Sequence, residues 1–149
     1  MVTFPNAKIN LGLDILRKRP DGYHDISTVM IPVPWNDVLE IVPGKADVDR
    51  LTVSGRPVSC PPASNLVFKA VKSLRKYADF PSVDIFLHKI IPDGAGLGGG
   101  SSDAAFALKA INELFNLQLG DETLASIAAG IGADCPFFIY NRPMLCTGI

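Results

Sequence analysis

The fold is predicted most directly by one glycine-rich stretch, Pro92-Asp93-Gly94-Ala95-Gly96-Leu97-Gly98-Gly99-Gly100-Ser101-Ser102-Asp103. Five of the seven residues from 94 to 100 are glycines, so the backbone can take left-handed turns and approach a ligand closely. The apolar run 83–91 before this loop predicts a strand, and an Ala-rich pattern from Ser102 or Asp103 onward predicts a helix. Because backbone amides at a helix start are unpaired and carry the positive end of the helix dipole, the loop is suited to bind a phosphate.

Three other interpretations of the glycine-rich loop fit less well. The dinucleotide-binding spacing G-x-G-x-x-G starts at Gly94, but that fold needs an acidic residue about 20 positions on, at the end of a second strand. Glu113, near that spacing, lies inside a helical pattern. A Walker loop needs Gly-Lys-Ser/Thr, and no lysine occurs between residues 89 and 109. A flexible Gly/Ser linker would not be flanked by a strand and a helix.

Composition limits the class of protein. The 149 residues suffice for one domain with a core, and 48% hydrophobic and 19% charged residues are typical of a globular chain. A net charge of -1 argues against nucleic acid as a partner. The three cysteines form no C-x-x-C pair, the chain carries no secretory signal pattern, and no apolar run is long enough for a bilayer, so we expect a cytoplasmic protein without a membrane partner.

Hydrophobic periodicity predicts the strands before the loop. Residues 8–16 alternate strictly, which predicts a half-buried strand with one apolar face and one polar face that carries Lys8 and Asn10. The turn signal Pro20-Asp21-Gly22 separates it from a second strand over 26–34, whose prolines suggest a sheet edge. Two further short strands are predicted over 37–42 and 51–54.

Three helices are predicted besides the one that follows the loop. The first begins after an N-cap at Ser64 or Asn65, runs to about Tyr77, and buries the side chains of Val67, Ala70, Val71 and Leu74. The helix after the loop ends near Asn116 and buries Ala104, Leu108, Ile111 and Phe115. Another runs from about Asp121 to Gly130, and a short one begins near Pro136. Asp134 before it could be merely an N-cap.

The pattern Pro-x-x-x-Gly-Leu-Gly-Gly-Gly-Ser-Ser resembles the phosphate-binding motif of the GHMP superfamily, which includes galactokinase, homoserine kinase, mevalonate kinase and phosphomevalonate kinase. Three further segments, 5–10, 21–24 and 132–138, strengthen the resemblance, which covers the whole chain. They resemble the members that phosphorylate 4-diphosphocytidyl-2-C-methyl-D-erythritol on its 2-hydroxyl at the expense of ATP. The resemblance implies an α+β fold like ribosomal protein S5 domain 2, a mixed sheet with helices packed on one face.

The resemblance also implies roles for individual residues. Lys8 and Asp134 would be catalytic: Lys8 places a positive charge near the transferred phosphate, and Asp134 accepts or orients the acceptor hydroxyl. Asn10, Tyr23 and His24 would bind the acceptor, with Tyr23 and His24 at its cytosine. The ATP phosphates would contact Pro92, Gly94, Gly96, Leu97, Gly98, Gly99, Gly100, Ser101 and Ser102. The adenine would lie near Asn65, Leu66 and Lys89, and a hydroxyl of Ser101 or Ser102 would help to hold Mg²⁺.

The second half of these kinases carries another Gly-rich motif, which nothing in 1–149 matches. We therefore expect a truncated N-terminal ATP-binding domain without its C-terminal domain, inactive or nearly so by itself, and able to self-associate through exposed apolar surface. Two alternatives stay open at this point. One is another small-molecule kinase of the same superfamily, and the other is a noncatalytic binding module related to ribosomal proteins that hold RNA.

Overall fold

The structure is a computed structural model that describes residues 1–20 and 22–148. The strands are β1 (Val2–Thr3), β2 (Asn6–Lys18), β3 (His24–Asn36), β4 (Val38–Pro43), β5 (Arg50–Gly55), β6 (Val83–Lys89) and β7 (Met144–Gly148). The helices are α1 (Leu66–Leu74), α2 (Gly99–Leu114), α3 (Asp121–Ala129) and α4 (Cys135–Tyr140), and a 3₁₀ turn over Pro62–Ser64 precedes α1.

The strands form two sheets, which the sequence did not predict. The larger has the order β1-β4-β6-β5, and it is mixed because β5 runs parallel to β6 while the other pairs are antiparallel. The smaller is antiparallel with the order β2-β3-β7. The helices pack with the larger sheet around one core of aliphatic and aromatic side chains. The expected α+β class with a mixed sheet is confirmed.

The helix predictions hold except at some ends. α1 buries the four predicted side chains, but it ends at Leu74, and Asn65 caps it through its side chain, which accepts from the Val67 amide. α2 begins at Gly99, three residues earlier than Ser102, because Gly98 adopts the left-handed conformation (φ 69°) that ends the loop and starts the helix. α3 ends before Gly130, as expected.

The prediction that β2 has a single buried apolar face is wrong, because the strand changes face at Gly12. Leu11 lies opposite Val29, whereas Leu13 lies opposite Thr28, and the register shifts between the two. Val29 and Thr28 are consecutive in β3 and point to opposite faces, so Leu11 and Leu13 do as well. Gly12 is the extra residue of this β-bulge and has a positive φ of 70°.

Burial reverses the polarity expected near the start of β2, and the apolar residues are exposed on both sides of the bulge. Lys8 is buried, whereas Ile9, Leu11 and Leu13 are all exposed. The prediction that β3 is an edge strand is also wrong, since β3 lies between β2 and β7. Its prolines are still tolerated, because the pairing with β7 spans only 26–30 and stops before Pro32 and Pro34.

Within residues 1–20 and 22–148, no helix is long and apolar enough to cross a membrane.

Candidate active site

The glycine-rich loop ends in a set of backbone amides that are free to bind an anion. Ser102 donates the first intrahelical bond of α2, from its amide to the Gly98 carbonyl at 2.9 Å. The amides of Gly99, Gly100 and Ser101 therefore precede any intrahelical acceptor and lie at the positive end of the helix. Gly94 and Gly96, which have positive φ values, lead the chain into this turn.

Lys8 and Asp134 lie 126 positions apart in sequence but meet beside this loop. The Lys8 Nζ is 3.2 Å from the Asp134 Oδ2. A Cβ built on Gly98 would lie 3.1 Å from the Lys8 Cγ, so the lysine packs directly against the start of α2. Asp134 precedes α4, but its side chain makes no capping hydrogen bond, so the structure contradicts the view of it as a mere N-cap.

An open cleft of about 790 Å³ lies next to Asp134, because Ala133 and Pro136 on either side of that residue line it, although Asp134 and Lys8 are not among its described lining residues. Its walls come from the end of the β2–β3 hairpin with Tyr23, from β7, and from the segment 129–133 that leads into Asp134. Cys146 lines the cleft, and burial raises the pKa of its thiol, with the Asp134 charge acting in the same direction. The charges of Asp134 and Lys8 are therefore close enough to act on Cys146 in the cleft wall.

The three residues predicted to bind the acceptor lie in different environments. Tyr23 lines the cleft with its side chain 63% exposed. His24 is exposed at the first position of β3, opposite Lys18, and is not among the described residues that line the cleft. Asn10 faces the pair and accepts a 2.7 Å hydrogen bond from the Lys8 Nζ. Asp21 of the turn motif lies outside the described residues.

The family model described as the GHMP kinases N terminal domain matches residues 65–142, which include the glycine-rich loop, α2 and Asp134. The chain belongs to the GHMP kinases.

Two curated relatives that carry the same name are each 54% identical to this GHMP kinase chain. It is 54% identical over its whole length to 4-diphosphocytidyl-2-C-methyl-D-erythritol kinase of Porphyromonas gingivalis and covers 54% of that protein. It is also 54% identical to the enzyme of the same name from Bacteroides fragilis strain YCH46, of which it covers 55%. The chain thus spans about half the length of the curated relatives it matches.

Solved structures agree with this fold. A crystal structure of 4-(cytidine 5'-diphospho)-2C-methyl-D-erythritol kinase matches 99% of this chain with a TM-score of 0.81 and 36% identity, and 52% of that chain is covered. The Methanococcus jannaschii mevalonate kinase, at 16% identity and a TM-score of 0.71, shares the fold, with 99% of this chain and 53% of that one covered.

Of the two loop serines in this GHMP kinase, one reaches the surface. Ser101 is half-buried, and its hydroxyl hydrogen-bonds the Cys135 thiol. Ser102 is fully buried, its hydroxyl has no partner among the described residues, and its amide is used within α2. The expectation that Ser102 contacts phosphate or Mg²⁺ stays a prediction, and it concerns the hydroxyl, because the amide is already bonded to the Gly98 carbonyl.

Lys89 is the centre of a buried ion triad. Its Nζ pairs with Asp103 Oδ2 at 2.7 Å and with Asp37 Oδ2, and all three side chains are at most 4% exposed. Burial raises the pKa of the Asp103 carboxyl to about 7, with Lys89 opposing and Asp37 adding to the shift. Asp37 also accepts from the amides of Ile90 and Ile91. The ammonium of Lys89 is thus engaged by two carboxylates, and the expectation that Lys89 lies near the adenine stays a prediction.

The triad fixes both ends of the glycine-rich loop in this GHMP kinase. Asp37 holds the chain where it leaves β6, and Asp103 belongs to α2, where the chain re-enters regular structure. Sequence reasoning missed Asp37, although a carboxylate on the otherwise Ala-rich inner face of α2 was a signal that a buried cation lies opposite Asp103.

Asn65 and Leu66 lie beside the loop at the start of α1. The side chain of Asn65 is buried and used as the helix cap. A Cβ on Gly100 would lie 3.7 Å from the Leu66 Cδ1, so Leu66 packs next to the first turn of α2. Leu66 therefore borders the glycine-rich loop, and the expectation that Asn65 and Leu66 lie near the adenine stays a prediction.

Proposed function

We propose that this chain supplies the nucleotide-binding part of a kinase that transfers the γ-phosphate of ATP to the 2-hydroxyl of 4-diphosphocytidyl-2-C-methyl-D-erythritol. This reaction belongs to non-mevalonate isoprenoid biosynthesis. The observation that carries the proposal is the 3.2 Å pair of Lys8 and Asp134 against Gly98. Identities of 54% to kinases of that name support the choice of acceptor.

The loop amides and Lys8 supply what phosphoryl transfer demands of a protein. The transition state is loose, so catalysis is chiefly positioning and neutralisation of charge on the transferred group. The amides of Gly99, Gly100 and Ser101 would hold the phosphates, with the loop residues from Pro92 to Gly98 shaping the turn. The Lys8 ammonium would meet the γ-phosphate where it approaches Asp134.

Asp134 would orient the acceptor hydroxyl at the border of the cleft. Its carboxylate is 30% exposed, which leaves it open to a ligand while Lys8 restrains it from one side. Tyr23 in the cleft wall offers an exposed ring on which a cytosine can stack, whereas the proposed hydrogen bond from His24 requires a base that extends beyond the described lining of the cleft. The cleft is proposed to be completed by residues outside the matched half.

At this site Mg²⁺ would take most of its ligands from phosphate and water, because few protein groups are available to it. The described residues contain no group of three or more His, Cys, Asp or Glu side chains that could hold a metal ion. Ser101 is the one loop hydroxyl with exposed surface, and Mg²⁺ in kinases is commonly held by one or two protein oxygens plus substrate phosphates. When bound, the ion neutralises phosphate charge.

A substrate panel tests the proposal. The full-length protein is incubated with ATP and, separately, with the cytidyl compound, mevalonate, phosphomevalonate or homoserine, and transfer of ³²P is measured. We expect transfer to the cytidyl compound alone. Transfer to another alcohol would favour a different GHMP kinase, and a salt-dependent RNA shift without any transfer would favour a noncatalytic module.

A further inference from the structure

A chain of hydrogen bonds runs from the catalytic lysine into the smaller sheet. The Lys8 Nζ donates to the Asn10 Oδ1 at 2.7 Å, and the Asn10 Nδ2 donates to the Thr28 Oγ1 at 3.0 Å. The Thr28 hydroxyl in turn donates to the Gly12 carbonyl at 2.6 Å. Thr28 is 2% exposed, whereas Asn10 is half-buried and Gly12 is exposed, so the buried part of these hydrogen bonds is the Thr28 hydroxyl.

The donor and the acceptor of each hydrogen bond between Lys8 and Gly12 are determined by the chemistry of these two end groups. A hydroxyl carries one proton, and the Gly12 carbonyl can only accept, so the Thr28 proton is committed to Gly12. Thr28 must then accept from Asn10, which turns the amide nitrogen of Asn10 toward Thr28 and its oxygen toward Lys8. An ammonium can only donate, so the Lys8 end requires the same orientation independently.

The bulge in β2 makes this arrangement available. Gly12 is the extra residue between the two registers of β2, and its carbonyl bonds a side chain of β3, Thr28. The sequence singled out Lys8 and Asn10 as neighbours on a polar face, but Thr28 lies in an apolar strand pattern and carried no signal of its own.

We propose that Thr28 is a positioning residue for the transfer of phosphate. It locks the Asn10 amide, which holds the Lys8 ammonium between Asn10 and Asp134 and leaves the third ammonium proton for the anionic ligand. This inference rests on the proposed function in one respect only, that the ligand is the transferred phosphate. The fixed orientation of Asn10 and Lys8 follows from the contacts themselves.

A pair of substitutions separates the hydroxyl from the shape of Thr28. Thr28→Val keeps the volume and removes the proton, whereas Thr28→Ser keeps the hydroxyl. In the full-length protein we expect Thr28→Val to lower kcat by about 10-fold or more, the effect of one lost buried hydrogen bond, with the KM for ATP changed less than about 2-fold. Thr28→Ser should stay within about 3-fold of wild-type kcat. Thr52→Val, on an exposed strand position of the other sheet, is the matched control.

A readout independent of turnover keeps the two proposals apart. In ¹⁵N NMR spectra, the Lys8 ammonium should show slow hydrogen exchange in wild type and in Thr28→Ser, and exchange several-fold faster in Thr28→Val. Wild-type kcat and unchanged ammonium exchange in a folded Thr28→Val protein would overturn the role of Thr28. Absence of any kinase turnover in wild type, with the NMR difference intact, would overturn the proposed function and leave the positioning network standing.

Discussion

The backbone amide of Lys8 donates a 2.9 Å hydrogen bond to the carbonyl of Leu97. The strand that carries the ammonium is thereby tied to the residue that precedes the left-handed turn at Gly98. This hydrogen bond couples the position of Lys8 to that of the glycine-rich loop, which is the proposed phosphate site. This connection is the reason that a change in the loop is expected to affect both nucleotide affinity and chemistry.

Gly98→Ala tests this coupling. Gly98 has a φ of 69°, and a Cβ there would lie 2.9 Å from the Phe138 Cζ. We expect a loss of stability of about 1–3 kcal/mol from the strained backbone and contact, and at least about 10-fold weaker ATP binding by calorimetry. Gly120→Ala is the matched control, because Gly120 is also a helix N-cap but has a φ of -74° and an open Cβ position. Unchanged ATP affinity in folded Gly98→Ala would contradict the loop assignment.

Asn65 allows a structural role to be distinguished from a nucleotide contact. Asn65→Ala removes the cap of α1 and should lower the free energy of unfolding by about 1 kcal/mol. Asn65→Ser retains a capping oxygen and should keep most of that stability. If Asn65 also borders the adenine, both variants bind ATP more weakly, whereas full affinity in Asn65→Ser would limit the residue to capping.

Lys89 is expected to matter for folding more than for ligand binding. Lys89→Met leaves Asp37 and Asp103 buried without their cation and should cost about 3–5 kcal/mol in the free energy of unfolding. Adding Asp103→Asn removes one of the two carboxylates and should recover part of that loss. Lys69→Met, an exposed lysine on α1, should change stability by less than about 0.5 kcal/mol. A fully stable Lys89→Met protein would show that the triad is dispensable.

The raised pKa of Asp103, about 7, predicts a pH dependence of stability. Between about pH 4.5 and 7 the folded state holds the Asp103 proton more tightly than the unfolded state, so this group lowers stability as pH rises, by at most about 1.4 kcal/mol per pH unit. Asp103→Asn should remove that slope in denaturant titrations. Asp93→Asn should not alter it, because hydrogen bonds from Ser59 lower the pKa of Asp93 and keep it ionised in both states there. Parallel stability curves for wild type and Asp103→Asn would refute this assignment.

The sequence pattern correctly predicted the features that depend on interactions between residues close together in the chain. The apolar stripe of α1, the strand–loop–helix order around the glycines and the Asp121 start of α3 were all readable, since each depends on periodicity or capping within a few residues. The likeness of segments far apart in sequence further suggested that Lys8 and Asp134 would share a site, and the structure does bring them together.

Long-range pairing could not be predicted in the same way. The bulge at Gly12 depends on the register with β3, and a strict alternation in sequence hides the change of face. Burial of Lys89 depends on Asp37, 52 positions away, whose approach requires the crossover between β4 and β6. The charge of a lysine alone favours solvent, and only the two opposing carboxylates make burial acceptable.

The most direct test of the account is the turnover of Asp134→Asn in the full-length protein, measured beside its ATP affinity. The substitution keeps the shape of the side chain and removes the charge that faces Lys8. We expect kcat to fall by about 10²-fold or more while the Kd for ATP changes less than about 3-fold, because the proposed function assigns Asp134 to the acceptor hydroxyl and the loop amides to the nucleotide. Near-normal turnover would contradict the proposal that the Lys8–Asp134 pair acts in phosphate transfer.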